Sequence, residues 1–161
     1  MCYGRRDVVV NDDATAGVAR SVRALLPVEV LAAAPVHSSP LSRCASLAIA
    51  LAPGRAAVIT PDLLELDFGS WEGRAWDAVP RAELDAWASD PWTYAPGGGE
   101  SARSASLRFQ AWALRLKNSG HDAVIAVTHA GLIRLALAAG SSDPSGLTRS
   151  VPYGSMHQVF L

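Results

Sequence analysis

The chain has 161 residues, of which 50% are hydrophobic and 18% charged, and its formal net charge is -1 at pH 7. This composition excludes a disordered chain and predicts a single domain, residues 1–161, with a real apolar core. The small net charge gives no support to nucleic acid or a membrane surface as a partner. No apolar run is long enough to cross a bilayer and no signal peptide is recognised, and Cys2 and Cys44 form no disulfide framework, so a reducing cytoplasm is predicted.

The first part of the chain is predicted to alternate between helices and short apolar segments. A helix capped by Asp12 or Asp13 has an apolar face and ends at Pro27. A short apolar segment then reaches Val36. The next helix is predicted to begin near Ser39, where a capping residue stands directly before a first-turn proline.

The later elements continue the alternation. Residues 56–59 are predicted to form a strand, residues 63–76 are irregular, and residues 80–89 form a helix. Another helix opens at Glu100 or Ser101, and residues 156–161 make the last strand. Strands that alternate with helices predict an α/β fold of three layers, in which a mostly parallel sheet has helices on both faces.

Residues 123–139 carry the strongest functional signal. A short β-branched run, typical of a buried strand, stops at His129, and an apolar helix follows over residues 132–139. Ligands of α/β folds bind where strands end, and a helix start offers free N–H groups to an anion. The pattern therefore favours a phosphate site, although a buried histidine bonded to the backbone explains His129 equally well at this stage.

Two further segments contain candidate functional groups. Arg43 lies about one turn into a predicted helix, where its guanidinium could clamp a phosphate, or simply pair with a surface carboxylate. Residues 64–73 bring Glu65, Asp67 and Glu72 together beside two glycines. A buried carboxyl with a raised pKa could act as a general acid there, whereas the alternative is a solvated turn.

Four segments in a fixed order carry a family resemblance: 38–43 (SSPLSR), 64–73 (LELDFGSWEG), 96–101 (PGGGES) and 127–131 (VTHAG). Together they resemble the histidine phosphatase superfamily, whose fold is that of phosphoglycerate mutase. The resemblance covers essentially the whole chain. Residues 2–7 (CYGRRD) and 68–76 (FGSWEGRAW) are similar to the α-ribazole phosphatase-like branch.

The resemblance implies a mechanism in which a histidine attacks the phosphate and water cleaves the phosphohistidine. It implies that Arg43 binds the phosphoryl group, that Glu65 protonates the leaving oxygen, and that His129 stabilises the transition state. The implied substrate-binding residues are Tyr3, Gly4, Arg5, Ser39, Glu72, Glu100 and Ala130. Ser101 fits better as a helix cap. No cofactor is implied, and no cluster has metal-ligand spacing.

The sequence departs from the family in one respect. Members open with a strand that ends in Arg-His-Gly, and that histidine is the nucleophile, but the 161 residues contain no such tripeptide. His37 follows a different strand and does not replace it. We therefore expect the first central strand to be missing, through a misplaced start codon, a truncated gene or a lost activity, and we favour the misplaced start.

Three functions remain open from the sequence. The leading one is a phosphomonoesterase acting on a small phosphate ester, for example α-ribazole 5′-phosphate in cobalamin synthesis. The alternative is a pseudophosphatase that binds a phosphorylated ligand or inorganic phosphate without turnover. Phosphoglycerate mutase activity is a third alternative, although the chain is short for the segments that such mutases place over the site. Whether the protein forms a homodimer is open.

Overall fold

The computed structural model describes residues 1–139 and 148–160. In chain order its helices and strands are α1 (Asp12–Leu25), α2 (Val28–Ala33), β1 (Val36–Ser38), α3 (Ser42–Leu51), β2 (Val58–Ile59), α4 (Arg81–Ser89), α5 (Ala102–Lys117), β3 (Ile125–Val127) and α6 (Ala130–Ala138). Short 3-10 turns interrupt the long connection between β2 and α5, at Pro61–Leu63, Gly69–Trp71, Trp76–Ala78 and Pro96–Gly98.

The three strands form a parallel sheet in the order β2-β1-β3. His37 at the centre of β1 is in register with Val58 of β2 and Ala126 of β3. Because all three strands run in one direction, their carboxyl ends meet at one edge of the sheet. The predicted α/β fold with a parallel sheet flanked by helices is confirmed.

Helices cover the two faces of the sheet through separate apolar clusters. On one face α1 and α3 pack against strand residues; this cluster includes Ala19, Val22, Val36, Cys44, Ala48, Leu51, Ile125 and Val127. On the other face the ring of His37 meets Trp112 of α5 edge-on at 5.7 Å between centroids. The second cluster joins α5 and α6 to the irregular connection and includes Leu63, Leu66, Phe109, Trp112, Leu116, Leu132 and Leu135.

The second cluster fixes an irregular segment that carries functional candidates. Leu63 is fully buried and Leu66 is 9% exposed, and both belong to the core under α5 and α6. Glu65 stands between them in the chain. Its backbone is thus held by apolar packing on both sides, although it lies in no helix or strand.

Two predicted helix starts are corrected by the structure. The cap of α1 is Asn11, whose side chain accepts a hydrogen bond from the Ala14 N–H, while Asp12 occupies the first turn. Helix α3 begins at Ser42 instead of near Ser39; its N-cap residue Leu41 has no capping side chain, and the Asp7 carboxylate accepts from the Ser42 N–H over 3.0 Å. The reason is that the chain stays extended through Leu41, which leaves the Ser39 hydroxyl free to bond elsewhere.

The predicted last strand is also corrected. Residues 156–160 form no strand, and Leu161 lies outside the described residues. A strand exists only through pairing with a neighbour, and these residues form no ladder with β1, β2 or β3. The described helices are 6 to 16 residues long, and none of them is long and apolar enough to cross a membrane. Cys2 and Cys44 are both free and buried.

Candidate active site

The two predicted strand-to-helix junctions meet at the carboxyl edge of the sheet. Ser39 follows β1, and its N–H donates to the carbonyl of Val127 at the end of β3 over 3.0 Å. His129 comes two residues after Val127 and is the N-cap residue of α6. The Nε2 atom of His129 lies 2.8 Å from the Ser39 hydroxyl, so one hydrogen bond joins the two junctions.

His129 is a neutral hydrogen-bond donor in this arrangement. The Nε atom of Arg43 donates to His129 Nδ1 over 3.1 Å, so the ring proton lies on Nε2 and is donated to Ser39. Burial, and then the positive charges of Arg43 and Arg108, lower the pKa of His129 to about 3. The imidazole therefore stays uncharged at neutral pH.

Arg43 spans from the site to the N-terminal segment. Its Nη2 donates to the Gly4 carbonyl over 2.6 Å and its Nη1 to the Arg6 carbonyl over 3.0 Å. The ring of Tyr3, which is half exposed, lies 5.7 Å from the guanidinium carbon. Asp7 is 4.0 Å from Nη1, at the limit of an ion pair. Neutral acceptors thus hold the guanidinium, so its positive charge remains available to an anion.

Cys44 lies against the same imidazole. Its Sγ atom is 3.5 Å from Nε2 and 3.7 Å from Nδ1 of His129. Burial raises the pKa of the Cys44 thiol to about 12, so the group stays protonated and is not a nucleophile at neutral pH. Its contribution is to pack beside the ring and limit its rotation.

Glu65 reaches the start of α6 from the irregular connection. Its Oε2 accepts from the Gly131 N–H and its Oε1 from the Leu66 N–H, each over 3.0 Å. Burial raises the pKa of Glu65 and outweighs these two bonds and the charge of Arg43. A Cβ on residue 131 would lie 2.3 Å from Oε1, so glycine is needed for this close approach.

Glu72 holds the N-terminal segment in place. Its carboxylate accepts hydrogen bonds from the backbone N–H groups of Gly4, Arg5 and Arg6 at 2.9 to 3.0 Å and from that of Phe68 at 3.2 Å. Burial favours a raised pKa, but the hydrogen bonds outweigh it and lower the pKa of Glu72. Glu72 is thus a fixed anion that shapes the segment bound by Arg43.

A network of charged side chains lies beside Glu72. Glu100 accepts from Arg5 at 3.2 Å and from Arg108 at 2.8 and 3.0 Å, and Arg5 also lies 3.6 Å from Asp67. Glu100 and Arg108 are 13% and 17% exposed. This network joins the N-terminal segment to the start of α5.

The structure brings eight of the ten predicted site residues into one connected set of contacts: Tyr3, Gly4, Arg5, Ser39, Arg43, Glu72, Glu100 and His129. The other two lie at the start of α6: Ala130 begins the helix directly after His129, and Glu65 accepts from the Gly131 N–H. Ser101 caps α5, as predicted, by accepting from the Ser104 N–H. The ring of His37 bonds to Thr60 instead of joining the set.

Sequence reasoning missed three residues that contact this set. They are Asp7, Cys44 and Arg108. Cys44, which the sequence indicated only as a cysteine outside any disulfide framework, is buried in the core and also touches His129. Nothing local in the sequence marks Asp7 or Arg108, because their partners are distant along the chain. Within residues 1–139 and 148–160, no three His, Cys, Asp or Glu side chains are grouped closely enough to hold a metal ion.

The fold and the junctions define an α/β protein with a buried histidine and an arginine at the carboxyl edge of a parallel sheet. The sequence profile of the histidine phosphatase superfamily (branch 1) matches residues 1–157. The chain therefore belongs to this superfamily.

Solved structures of phosphatases resemble this chain along most of its length. The α-ribazole phosphatase of Shigella flexneri is 26% identical with a TM-score of 0.78, over 96% of this chain and 79% of that one. A mycobacterial glucosyl-3-phosphoglycerate phosphatase is 26% identical with a TM-score of 0.72, over 91% of this chain and 74% of that one. Comparison with curated proteins gave no significant match. The family and these neighbours support a general phosphatase role.

Proposed function

We propose that this protein binds the phosphoryl group of a small phosphate monoester between Arg43 and His129, and that Glu65 protonates the leaving oxygen. The observation that carries the proposal is the direct contact of Arg43 with His129, two residues that are 86 positions apart. They meet at the carboxyl edge of the parallel sheet, beside the start of α6, where Glu65 accepts from the Gly131 N–H. A cation, a neutral donor and a protonated carboxyl are the groups that phosphoryl transfer uses.

The proposed reaction follows the family resemblance. A histidine nitrogen forms a bond to phosphorus while the bond from phosphorus to the ester oxygen breaks, and Glu65 gives its proton to that oxygen. Water then forms a bond to phosphorus, returns a proton to Glu65, and the phosphorus–nitrogen bond breaks. The raised pKa of Glu65 suits this acid role, because the carboxyl must carry a proton near neutral pH. The proposal assigns the nucleophile to no residue of the 161, since they contain no Arg-His-Gly.

The substrate we propose to test first is α-ribazole 5′-phosphate. Its support is the likeness to a solved α-ribazole phosphatase together with the similar segment at residues 2–7. A glucosyl-3-phosphoglycerate is the second substrate to test, because a phosphatase of that name is also similar to this chain. Such reactions would place the protein in cobalamin synthesis or sugar-phosphate metabolism of the cytoplasm.

The test begins with ligand binding, measured by calorimetry with inorganic phosphate and with orthovanadate. We expect both to bind the full chain and Arg43→Ala to weaken binding by about tenfold or more, because a charged hydrogen-bond partner of the anion is lost. The control is Arg81→Ala, which removes an exposed arginine that pairs with Asp85 on α4. Equal affinity of a folded Arg43→Ala variant and the wild type would contradict the proposal.

Release of phosphate from α-ribazole 5′-phosphate in the presence of a metal chelator separates the two candidate functions. Turnover that is lost in His129→Ala supports the phosphatase. Binding without turnover supports the second candidate, a phosphate-ligand-binding pseudophosphatase, which rests on the missing Arg-His-Gly tripeptide. A folded chain that neither binds phosphate nor hydrolyses the ester would contradict both.

A further inference from the structure

Arg108 of α5 makes four hydrogen bonds that join two separate segments of the chain. Its Nε and Nη2 atoms donate to the two carboxylate oxygens of Glu100 over 3.0 and 2.8 Å. Its Nη1 atom donates to the backbone carbonyls of Asp62 and Leu64 over 2.6 and 3.0 Å. The guanidinium therefore connects the start of α5 with the segment that carries Glu65.

The bond to Leu64 acts one residue from the carboxyl at the site. Leu63 and Leu66 hold this segment through apolar packing, which is not directional. Hydrogen bonds from Thr128 to the Leu63 carbonyl and from the Leu64 N–H to the Pro61 carbonyl orient the preceding peptides. A hydrogen bond to the Leu64 carbonyl fixes the orientation of the peptide that leads into Glu65. That orientation determines whether the Glu65 side chain points at the Gly131 N–H.

Only an arginine can make this set of bonds. A guanidinium presents five N–H groups in a rigid plane, so it can hold a carboxylate with one edge and carbonyls with another. A lysine has the same charge but a single nitrogen, which cannot reach Glu100 and Leu64 in these directions. Because Arg108 is 17% exposed and Glu100 13%, water replaces these bonds poorly.

We propose that Arg108 is a positioning residue that aims the Glu65 carboxyl at the start of α6 by holding the Leu64 carbonyl. The proposal rests on the proposed function only in that Glu65 is the acid; the positioning itself does not depend on turnover. Nothing in the family resemblance drawn from the sequence assigned a role to this arginine.

The test compares Arg108→Lys and Arg108→Met with a matched control, Arg115→Gln. Arg115 lies two turns further along α5 and binds the same Asp62, but through the side chain, at 2.6 Å with Arg115 60% exposed. The Arg115→Gln substitution removes a positive charge near the same segment and leaves the hydrogen bond to the Leu64 carbonyl in place. Two readouts are measured by NMR on the full chain: the carboxyl carbon of Glu65 as a function of pH, and hydrogen exchange of the Gly131 amide.

Both Arg108 variants are expected to change the two readouts. The pKa of Glu65 falls towards its ordinary value of 4.5 as water reaches the carboxyl, because burial is the main cause of its raised pKa. The charged or titratable groups that face this carboxyl, Arg43 and Cys44 of α3, are unchanged in every variant. Exchange of the Gly131 amide becomes about tenfold faster or more as its acceptor is withdrawn.

Wild-type values in a folded Arg108→Lys variant would overturn the proposal, and so would equal changes in Arg115→Gln. Should Arg108→Met fail to fold because Glu100 is left buried and unpaired, the double variant Arg108→Met with Glu100→Gln removes both charges and is measured instead. A separate assay of Glu65→Gln on phosphate esters tests the acid role. A failure there removes the proposed function and leaves the positioning by Arg108 intact.

Discussion

Glu65 and Glu72 lie seven residues apart on the same irregular connection, and their surroundings shift their pKa values in opposite directions. Glu72 accepts hydrogen bonds from four different backbone N–H groups, and its pKa is lowered. Glu65 accepts two such bonds, from Leu66 and Gly131, and its pKa is raised. Burial raises the pKa of both carboxyls, but Glu65 is buried far more deeply than Glu72 and meets fewer donors, so the depth of burial and the number of donors together decide the outcome.

The difference separates a structural anion from a group that can carry a proton. A carboxylate held by four donors gains from staying charged and anchors the chain around it. A carboxyl that is buried with few donors exchanges a proton at little cost, which is what an acid in phosphoryl transfer needs. The surroundings of Glu72 thus suit it to anchor the chain as an anion, and those of Glu65 suit it to carry a proton.

Removing the Glu72 carboxylate has the largest expected effect on this comparison. Glu72→Ala leaves the N–H groups of Gly4, Arg5 and Arg6 without their acceptor, so we expect a loss of about 3 kcal/mol in the free energy of unfolding at pH 7. Urea denaturation followed by circular dichroism measures it. Asp85→Ala, which breaks an exposed ion pair on α4, is the control and should cost less than about 0.5 kcal/mol.

The stability lost in Glu72→Ala is expected to depend on pH. Because the pKa of Glu72 is lower in the folded than in the unfolded chain, its stabilisation is present above the ordinary value of 4.5 and is lost as the pH falls through the folded pKa. The deficit of Glu72→Ala relative to wild type should therefore shrink in acid. A deficit that is small, or constant from pH 7 to pH 3, would show that Glu72 is not an anchoring anion.

Gly131→Ala disturbs the other carboxyl. The new Cβ would lie 2.3 Å from Glu65 Oε1 and 3.0 Å from Leu66 Cδ1, so the carboxyl must move away from the Gly131 N–H. We expect a loss of about 2 kcal/mol in stability, as in other overpacked sites, measured by the same denaturation.

A second glycine in a helix provides the matched control. Gly17 lies inside α1, where a Cβ would meet no atom nearer than 3.9 Å, and Gly17→Ala should stabilise the protein by up to about 1 kcal/mol through helix propensity. The two identical substitutions should therefore have opposite signs. A stabilising Gly131→Ala would mean that Glu65 does not approach the helix as closely as described.

The sequence predicted the parts of the site that depend on local order. His129 and Arg43 were found because each follows a strand and precedes or enters a helix, and parallel strands must end at one edge. The start of α3 was predicted wrongly at Ser39, because a Ser-Pro pair is typical of a helix start. In the structure that hydroxyl bonds to His129, a partner 90 residues away that no local pattern reveals.

Distant partners explain the other omissions as well. The bond from Gly4 to Glu72 joins residues 68 positions apart, and that from Arg5 to Glu100 joins residues 95 apart. The family resemblance indicated Glu72 and Glu100 as substrate-binding residues, and it did not reveal that Glu72 binds the backbone of residues 4–6 or that Glu100 pairs with Arg5 and Arg108. The opposite pKa shifts of Glu65 and Glu72 arise from how deeply each carboxyl is buried and how many N–H groups it meets, which the spacing of carboxylates along a segment does not encode.

The smallest expected effect concerns Glu65 itself. Since its pKa is higher in the folded chain than in the unfolded chain, the folded state binds more protons, and its contribution to stability falls as the pH rises from 4.5 through the folded pKa. Glu65→Gln cannot ionise. The free energy of unfolding of this variant should therefore increase relative to that of the wild type between pH 4 and pH 8, by on the order of 1 kcal/mol.

The difference curve of Glu72→Gln should run the other way over the acid range, because that variant loses an anion that the fold stabilises. Measuring both glutamine variants by urea denaturation at several pH values compares two substitutions of the same kind on one segment. The two differences in free energy of unfolding from the wild type should change with pH in opposite directions. That result would establish Glu72 as a fixed anion and Glu65 as a group that carries a proton. Parallel curves would contradict it, and the assignment of Glu65 as the acid would then lose its electrostatic basis.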